Sequence, residues 1–552
     1  MARVMRRLLV LPLLLTAGAC GAHGEAAPDG PAAHAASAAA AMSDADLAGQ
    51  VLMPYAYGSD ATTVDKTSAA GNRNLAGVDT PAEMVAKFHL GGLILVSFTA
   101  QDPTGATNPT SNVESPAQVR KLTAGLQEAA RQLPGGAPLL IGTDQEYGVV
   151  TRVTNGVTAL PSAMAAGAAG RPALTEQAWK AAGEELAAMG ITADFAPVAD
   201  TLGPPANTVI GSRSFGGDPQ ANAQQVAAAV RGLASAGVAA GVKHFPGHGH
   251  TSGDSHEELP VVAQTAAQWT AEDLPPFTAG VDAGAGLVMS GHLDVQALDP
   301  GVPATFSHKI MTDVLRTQLG FTGVAVTDAM NMPPAMKWPA GEAAVRALNA
   351  GDDLLLMPPD IAAARDGILA GLKSGALKRE RLVEAATRIL TLKFRTAGKP
   401  QPDLSVVGST EHQRTVAALD AASVTVLRGA CAGPQFTGPV TITAAKGREA
   451  ARDNLARAMK ASNGRVQASG GTVVHLVGYG DKAADLNPAA AITVMMDTPH
   501  LLAAAKSPTL IATYSSSRLS MMALAAVLTG SVRASGTSPV AVAGLPRTAC
   551  GG

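Results

Sequence analysis

A chain of 552 residues is longer than one hydrophobic core usually serves, so at least two domains are expected, one of them large enough to be a barrel. Its 41 basic and 44 acidic residues nearly cancel, and no long Lys/Arg run occurs. That excludes the charge pattern of a nucleic-acid groove or a polybasic membrane surface and leaves a neutral or small partner.

The N-terminus reads as a processing signal. Arg3, Arg6 and Arg7 precede the apolar stretch Leu8 to Leu15, too short to cross a ~30 Å hydrocarbon core but suited to a signal peptide over residues 1–20. Ala17-Gly18-Ala19-Cys20 resembles a bacterial lipobox with Ala17 where Leu is usual, making Cys20 a candidate lipidation site. Either form of processing exports the chain, as a cell-surface lipoprotein or a secreted protein. Membrane contact is expected only through that lipid. Cys431 and Cys550 then remain, as a disulfide pair outside the cytosol or as two free thiols. Residues 21–42 are an Ala/Gly/Pro stretch with few large apolar side chains and read as a disordered tether.

From about residue 90, short apolar runs alternate with amphipathic segments of helical length, the pattern of repeated βα units. The runs are Leu93 to Phe98, Pro138 to Thr143, Ala193 to Val198, Gly237 to Val242, Gly286 to Ser290, Gly323 to Thr327 and Asp353 to Met357. Helical stretches such as Pro116 to Leu133, Pro172 to Met189 and Ala221 to Ala236 lie between them, the last ending at a C-cap glycine, Gly237. Seven clear units and one weak one predict a (β/α)₈ TIM-type barrel over 43–397. A Pro/Gly linker over 398–414 leads to a second alternation: Ser423 to Leu427, Val440 to Thr443, Val473 to Val477, Ile492 to Met496 and Leu510 to Thr513, with a helix at Met521 to Leu528. The fold class is therefore α/β, a barrel followed by a smaller layered α/β sandwich domain over 415–552.

Polar residues follow the barrel runs. Asp144, Asp200, Lys243, His244, His292 and Asp328 each come at or just after a predicted strand, the face on which barrel active sites are built. One such residue would be an ordinary helix cap; six together predict a site. The densest signal is Lys243-His244-Phe245-Pro246-Gly247-His248-Gly249-His250, followed by Asp254-Ser255-His256. Two functional readings of it compete. His256 can be a general acid/base with Asp254 holding its ring, since imidazole titrates near neutrality and a carboxylate fixes its tautomer. Alternatively His248, His250, His256 and Asp254 can bind a divalent metal, although their spacing fits no standard zinc motif. Asp328, in Thr327-Asp328-Ala329-Met330-Asn331-Met332, offers a carboxylate on the same predicted face, and a carboxylate nucleophile plus a proton donor is the minimum equipment for retaining glycoside hydrolysis.

These segments, with Phe195-Ala196-Pro197-Val198 and Ile210-Gly211-Ser212-Arg213-Ser214-Phe215, resemble glycoside hydrolase family 3, specifically its β-N-acetylglucosaminidase branch, over about residues 43–397. The resemblance implies Asp328 as nucleophile, His256 as acid/base and Asp254 as its partner. It also implies Asp144 and Arg152 on sugar hydroxyls and Arg213, Lys243 and His244 around an N-acetylglucosamine. The implied activity is exo-acting removal of terminal GlcNAc from peptidoglycan fragments or chitin oligosaccharides, with a small carbohydrate as partner and neither cofactor nor metal. Where the family commonly has Asp-Gln-Glu-Gly-Gly-Arg, this chain has Asp144-Gln145-Glu146-Tyr147-Gly148-Val149. Tyr147 and Val149 therefore put the loop shape and leaving-group contact in question. Two alternatives follow: a surface lipoprotein that binds sugars or muropeptides without turnover because the Tyr147 loop closes the site, and a phosphorylase in which phosphate takes the place of water.

Overall fold

The computed structural model describes residues 30–97, 112–203, 207–251, 253–434, 436 and 438–550. The predicted signal peptide, Cys20, residues 21–29 of the predicted tether and Phe98 lie outside the described residues.

Eight short parallel strands form the first domain: β1 Leu52–Met53, β2 Gly92–Leu95, β3 Leu140–Thr143, β4 Ala193–Asp194, β5 Ala239–Phe245, β6 Leu287–Ser290, β7 Val324–Thr327 and β8 Leu355–Leu356. Strands β2 to β7 pair in chain order. Strand β8 joins β7 through the Val326 and Leu354 bridge, and β1 lies in register with β8, Leu52 opposite Leu355. The Ile94 amide donates to the Pro54 carbonyl at 3.0 Å, so the circuit closes between β1 and β2. Seven strands overlap the predicted runs, five of them lying wholly inside, while β2 begins one residue early at Gly92 and β5 continues three residues past Val242 to Phe245. The eighth, β1, precedes residue 90, where the pattern had not been expected to begin. Its two residues are too few to show a period of their own, and it is a strand because its neighbours on both sides need one.

The tether expectation is corrected for its second half. Pro31–Ala41 is a helix, with Pro31 at its first turn and Ala35 and Ala39 buried. It lies on the helix Arg379–Ala397, where the His34 ring stacks on Phe394 with centroids 4.5 Å apart. The segment lacks large apolar residues, but alanine has the strongest intrinsic helix preference and its small side chain permits close helix packing. A low-hydrophobicity argument for disorder misses both effects.

The second domain is a six-stranded sheet: β9 Thr425–Arg428, β10 Val440–Ala444, β11 Val466–Gln467, β12 Thr472–Val477, β13 Ile492–Met495 and β14 Thr509–Ala512. Its spatial order is β9-β14-β13-β12-β10-β11, with only β9 antiparallel. Strand residues alternate between two cores, as a period of two demands. Leu476, Val494 and Ile511 pack under the helices Glu449–Ala461 and Arg518–Leu528. Val477, Met495, Leu510 and Ala512 face the barrel and share a core with its Met164, Ala168, Val198, Leu202 and Ile210. Across this seam the Ser162 hydroxyl donates to the Tyr514 carbonyl at 2.7 Å. Cys431 and Cys550 form a disulfide, with Cα atoms 5.5 Å apart.

The predicted linker is shorter than 398–414. Ser409 accepts from the His412 amide and caps a helix that starts at Thr410 and runs to Ser423. His412 then reaches back to the barrel helix Pro172–Ala188, Nδ1 2.9 Å from Glu185 Oε1 and Nε2 3.0 Å from Glu184 Oε2. Two carboxylates on two ring nitrogens favour imidazolium, so the hydrogen bond to Glu185 and then the nearby charges raise the His412 pKa against the opposing pull of burial. Folding thus increases proton affinity, and this contact stabilises fully below the ordinary histidine value of ~6.5 and fades as pH climbs through the raised one. The melting temperature of His412→Gln should trail the parent by roughly 2 °C near pH ~5.5, and the gap should narrow as pH rises. A gap independent of pH would show that the ring does not titrate in this contact.

Candidate active site

Strand ends supply the site. Asp144 follows β3, Lys243 and His244 are among the last three residues of β5, His292 follows β6 and Asp328 follows β7. At the end of β5 the pairing with β6 slips between Val242 and Phe245, which re-aims the two polar side chains between. One cavity is lined by Asp144, Glu146, Arg152, Arg213, Lys243, His244, His256 and Asp328. All the sequence-predicted sugar-binding residues therefore meet in one hollow with Asp328 and His256, while Asp254 stands behind His256.

A charge network forms the floor. Lys243 Nζ lies 2.6 Å from Asp144 Oδ1 and 2.7 Å from Glu146 Oε1. Arg213 grips Glu146 with Nε at 2.7 Å and Nη2 at 2.8 Å, and Arg152 reaches Asp144 at 3.4 Å. Glu146 is a site residue that the sequence reading did not pick out. Burial alone would raise its pKa, but Arg213 and Lys243 hold it down to about 2. Burial, and then the Arg213 charge, lowers Arg152 to about 9, still cationic at neutral pH. Burial pushes Asp144 up against the attraction of Lys243. A fixed, buried set of paired donors and acceptors of this kind suits the hydroxyls and amide of a neutral sugar.

Asp200, also unassigned in the sequence, organises the glycine-rich loop. Its Oδ1 accepts from the amides of His244 at 3.1 Å and His248 at 2.7 Å, and its Oδ2 meets His244 Nδ1 at 2.8 Å. Burial and then the Arg213 charge keep His244 well below the ordinary histidine pKa, so the ring is neutral, with Nδ1–H donating to Asp200 and Nε2 accepting from Arg213 at 3.4 Å. The loop passes so close to the segment after β4 that a Cβ on Gly249 would stand 1.8 Å from the Thr201 carbonyl oxygen. Only glycine fits there.

Beyond the glycines, His248 holds the loop's far end, with Nδ1 2.8 Å from Thr251 Oγ1 and Nε2 3.0 Å from Ser255 Oγ. His256 Nδ1 is 2.6 Å from Asp254 Oδ1, and the same oxygen accepts the His256 amide at 2.9 Å. Because a carboxylate only accepts, Nδ1 carries the proton and Nε2 is the nitrogen left for the cavity. Burial raises Asp254, but its bonds to His256 outweigh this and hold it below the usual carboxylate value. Asp328 is likewise held low: burial opposes, while the His244 and His292 imidazoles and the Ala329 amide at 2.7 Å prevail. It is a carboxylate at neutral pH.

The metal reading finds no support in these placements. His250 turns away to Asp273 at 3.0 Å and Glu272 at 3.4 Å, and His248 is engaged by Thr251 and Ser255. Among the described residues no three His, Cys, Asp or Glu side chains are grouped to hold a metal. Tyr147 does not close the site. With φ at 64°, it turns its ring into the core, edge-on to Trp179 at 5.8 Å, and it is absent from the cavity wall.

A barrel whose strand ends present carboxylates, histidines and a buried polar floor fits a class, the glycoside hydrolases. Residues 48–392 match the Glycosyl hydrolase family 3 N terminal domain, and the chain belongs to that family. It is 32% identical over 436 residues to Beta-hexosaminidase A of Pseudoalteromonas piscicida, covering 72% of this chain and 69% of that one. It is 40% identical over 254 residues to a Beta-hexosaminidase of Stenotrophomonas maltophilia, covering 45% of this chain and 73% of the relative. A solved family 3 β-N-acetylglucosaminidase from Paenibacillus sp. str. FPU-7 superimposes with a TM-score of 0.78 at 32% identity, covering 91% of this chain and 99% of that one. The chain is a glycoside hydrolase built as a TIM-like barrel with an α/β sandwich.

Proposed function

We propose that this enzyme is a retaining, exo-acting β-N-acetylglucosaminidase that removes terminal GlcNAc from chitin oligosaccharides or peptidoglycan fragments. The observation that carries the reading is the pairing of His256 with Asp254 on one wall of the cavity that also holds ionised Asp328. Imidazolium at His256 passes its Nε2 proton to the glycosidic oxygen as the C1–O bond breaks. Asp328 forms the new bond to C1 from the opposite face, giving a glycosyl ester. Neutral His256 then takes a proton from water as that water attacks C1 and displaces Asp328, so configuration is retained overall. Asp144 and Arg152 bind hydroxyls, and Arg213, Lys243 and His244 surround the N-acetyl sugar.

Release of nitrophenol from nitrophenyl β-N-acetylglucosaminide, with free GlcNAc of β configuration as first product, tests this. Tight binding of GlcNAc without turnover would leave a lectin-like protein, and a sugar phosphate formed only in phosphate buffer would make it a phosphorylase. We also propose export, supported by Arg3, Arg6, Arg7 and the apolar stretch that follows, with Cys20 as lipid attachment point. Recovery of a Cys20→Ser chain from the membrane fraction in undiminished amount would argue against the lipid.

A further inference from the structure

Two adjoining cavities, of about 310 and 590 Å³, open on the barrel face opposite the catalytic hollow. Both are lined by residues at the beginnings of strands: Leu139 before β3 and Thr192 before β4 in one, Gly286 before β6 and Gly323 before β7 in the other. The catalytic residues follow the strand ends, so these cavities lie at the other end of the barrel. Six cationic side chains line them and no Asp or Glu does. Three are already answered: Arg131 by Glu128, Arg388 by Asp353 and Glu384, and buried Lys393 by the Gln50 amide oxygen at 2.8 Å. The other three form no ion pair among the described residues. Arg120 donates to the carbonyls of Ala188 at 3.3 Å and Pro402 at 3.1 Å, and Arg395 and Lys399 are exposed. Arg120 stands far from the other two in the chain, so no basic run announces the cluster.

The N-terminal segment enters at the same face. Ala32, in the first turn of the helix Pro31–Ala41, lines the larger cavity. This helix runs antiparallel to Arg379–Ala397: His34 stacks on Phe394 at one end, and the Met42 carbonyl accepts from Arg379 at 2.7 Å at the other. Gly30 is ten residues past Cys20, a length of chain that reaches at most ~36 Å. The 19-residue helix Arg379–Ala397 spans ~28 Å along the barrel wall. A membrane holding Cys20 on the catalytic side would use most of that reach merely in passing the wall, whereas one beneath the strand beginnings is met directly. The tether also makes the contact intramolecular, so a modest patch of charge is enough to fix an orientation. We infer that Arg120, Arg395 and Lys399 form a docking surface for anionic phospholipid, on which the anchored enzyme rests with its catalytic hollow turned away from the membrane.

The inference rests on the proposed export with a lipid on Cys20, and it extends membrane contact beyond that lipid. Cys431 and Cys550 are joined, which leaves Cys20 as the one free thiol of the chain's three cysteines. The processed chain is coupled through Cys20 to a maleimide lipid in vesicles of phosphatidylglycerol and phosphatidylcholine, acetylated with an amine reagent and read lysine by lysine by mass spectrometry. Lys399 should react at least about five-fold more slowly there than on pure phosphatidylcholine, the scale of effect a few basic side chains produce at an anionic surface. Exposed Lys337, after β7 on the catalytic side, should stay within about two-fold. Arg395→Glu should release Lys399 and leave the melting temperature unchanged. Lys399 equally reactive on both lipids, or still protected in Arg395→Glu, would overturn the docking, as would protection of Lys337 in its place. Protection by inorganic phosphate alone would give the cavities to a soluble anion, and protection that follows protein density rather than lipid charge would give the face to a second copy; either overturns the membrane assignment. A Cys20 that carries no lipid in the cell would remove the anchoring reading and this inference with it, whatever the coupled vesicles show.

Discussion

Asp328→Asn should lose at least ~10³-fold in kcat, while the wild-type enzyme treated with a slow 5-fluoro N-acetylglucosaminyl donor should gain one glycosyl mass on the peptide that carries Asp328. The size of the effect follows from what the side chain is asked to do. Positive charge develops at C1 in the transition state, and a preorganised anion fixed against it stabilises it far more than water would. The site is arranged to keep that anion: the Ala329 amide donates to it at 2.7 Å and imidazoles flank it. An amide in its place keeps the shape and loses the charge and the nucleophile together. Label recovered on another peptide, or an active Asn variant, would transfer the role elsewhere.

The second large effect concerns the proton. His256→Ala should lower kcat on a poor leaving group by roughly 10²- to 10⁴-fold, the usual worth of a positioned acid/base. With N-acetylglucosaminyl fluoride as donor the first step needs little protonation, so the variant should react with it and then stall as the glycosyl ester, because no base remains to activate water. Accumulation of that ester in the variant, seen by intact mass, is the signature to look for. Asp254→Asn should cost at least ~10-fold on both donors, since Nδ1 at 2.6 Å would lose its anionic acceptor and the ring its fixed tautomer. If Asp254→Asn left the kinetics unchanged, the pair would be structural and another group would have to carry the proton.

Much of the barrel was legible in the chain because its central strands are buried on both faces and read as continuous apolar runs. The site was legible for the same reason, since a polar residue ending such a run has few places to point. Asp144, Lys243, His244 and Asp328 were found that way, while Arg152 and Arg213 came through the family resemblance. Glu146 was not picked out, and Asp200, though seen to follow a strand-like run, was given no role. Each matters through partners far off in sequence, Glu146 through Arg213 and Asp200 through His244, and spacing along the chain carries no trace of such pairings. The effect of Tyr147 was left open for a related reason: a large residue in a loop near a site can obstruct it, whereas here, at positive φ, its ring packs on Trp179. The seam was invisible altogether, because alternating strand residues announce two covered faces without naming what covers the second.

That covered face bears on how the enzyme can be dissected. Met164, Val198, Leu202 and Ile210 belong to the barrel by sequence but are kept from water by Val477, Met495 and Leu510 of the following domain. A fragment ending at Ala397 would carry a greasy scar on the very rim that holds the catalytic hollow, inviting self-association. Silence from such a fragment would speak of lost solubility as much as of lost chemistry, and the division of labour between the halves is better mapped by single-residue changes than by truncation.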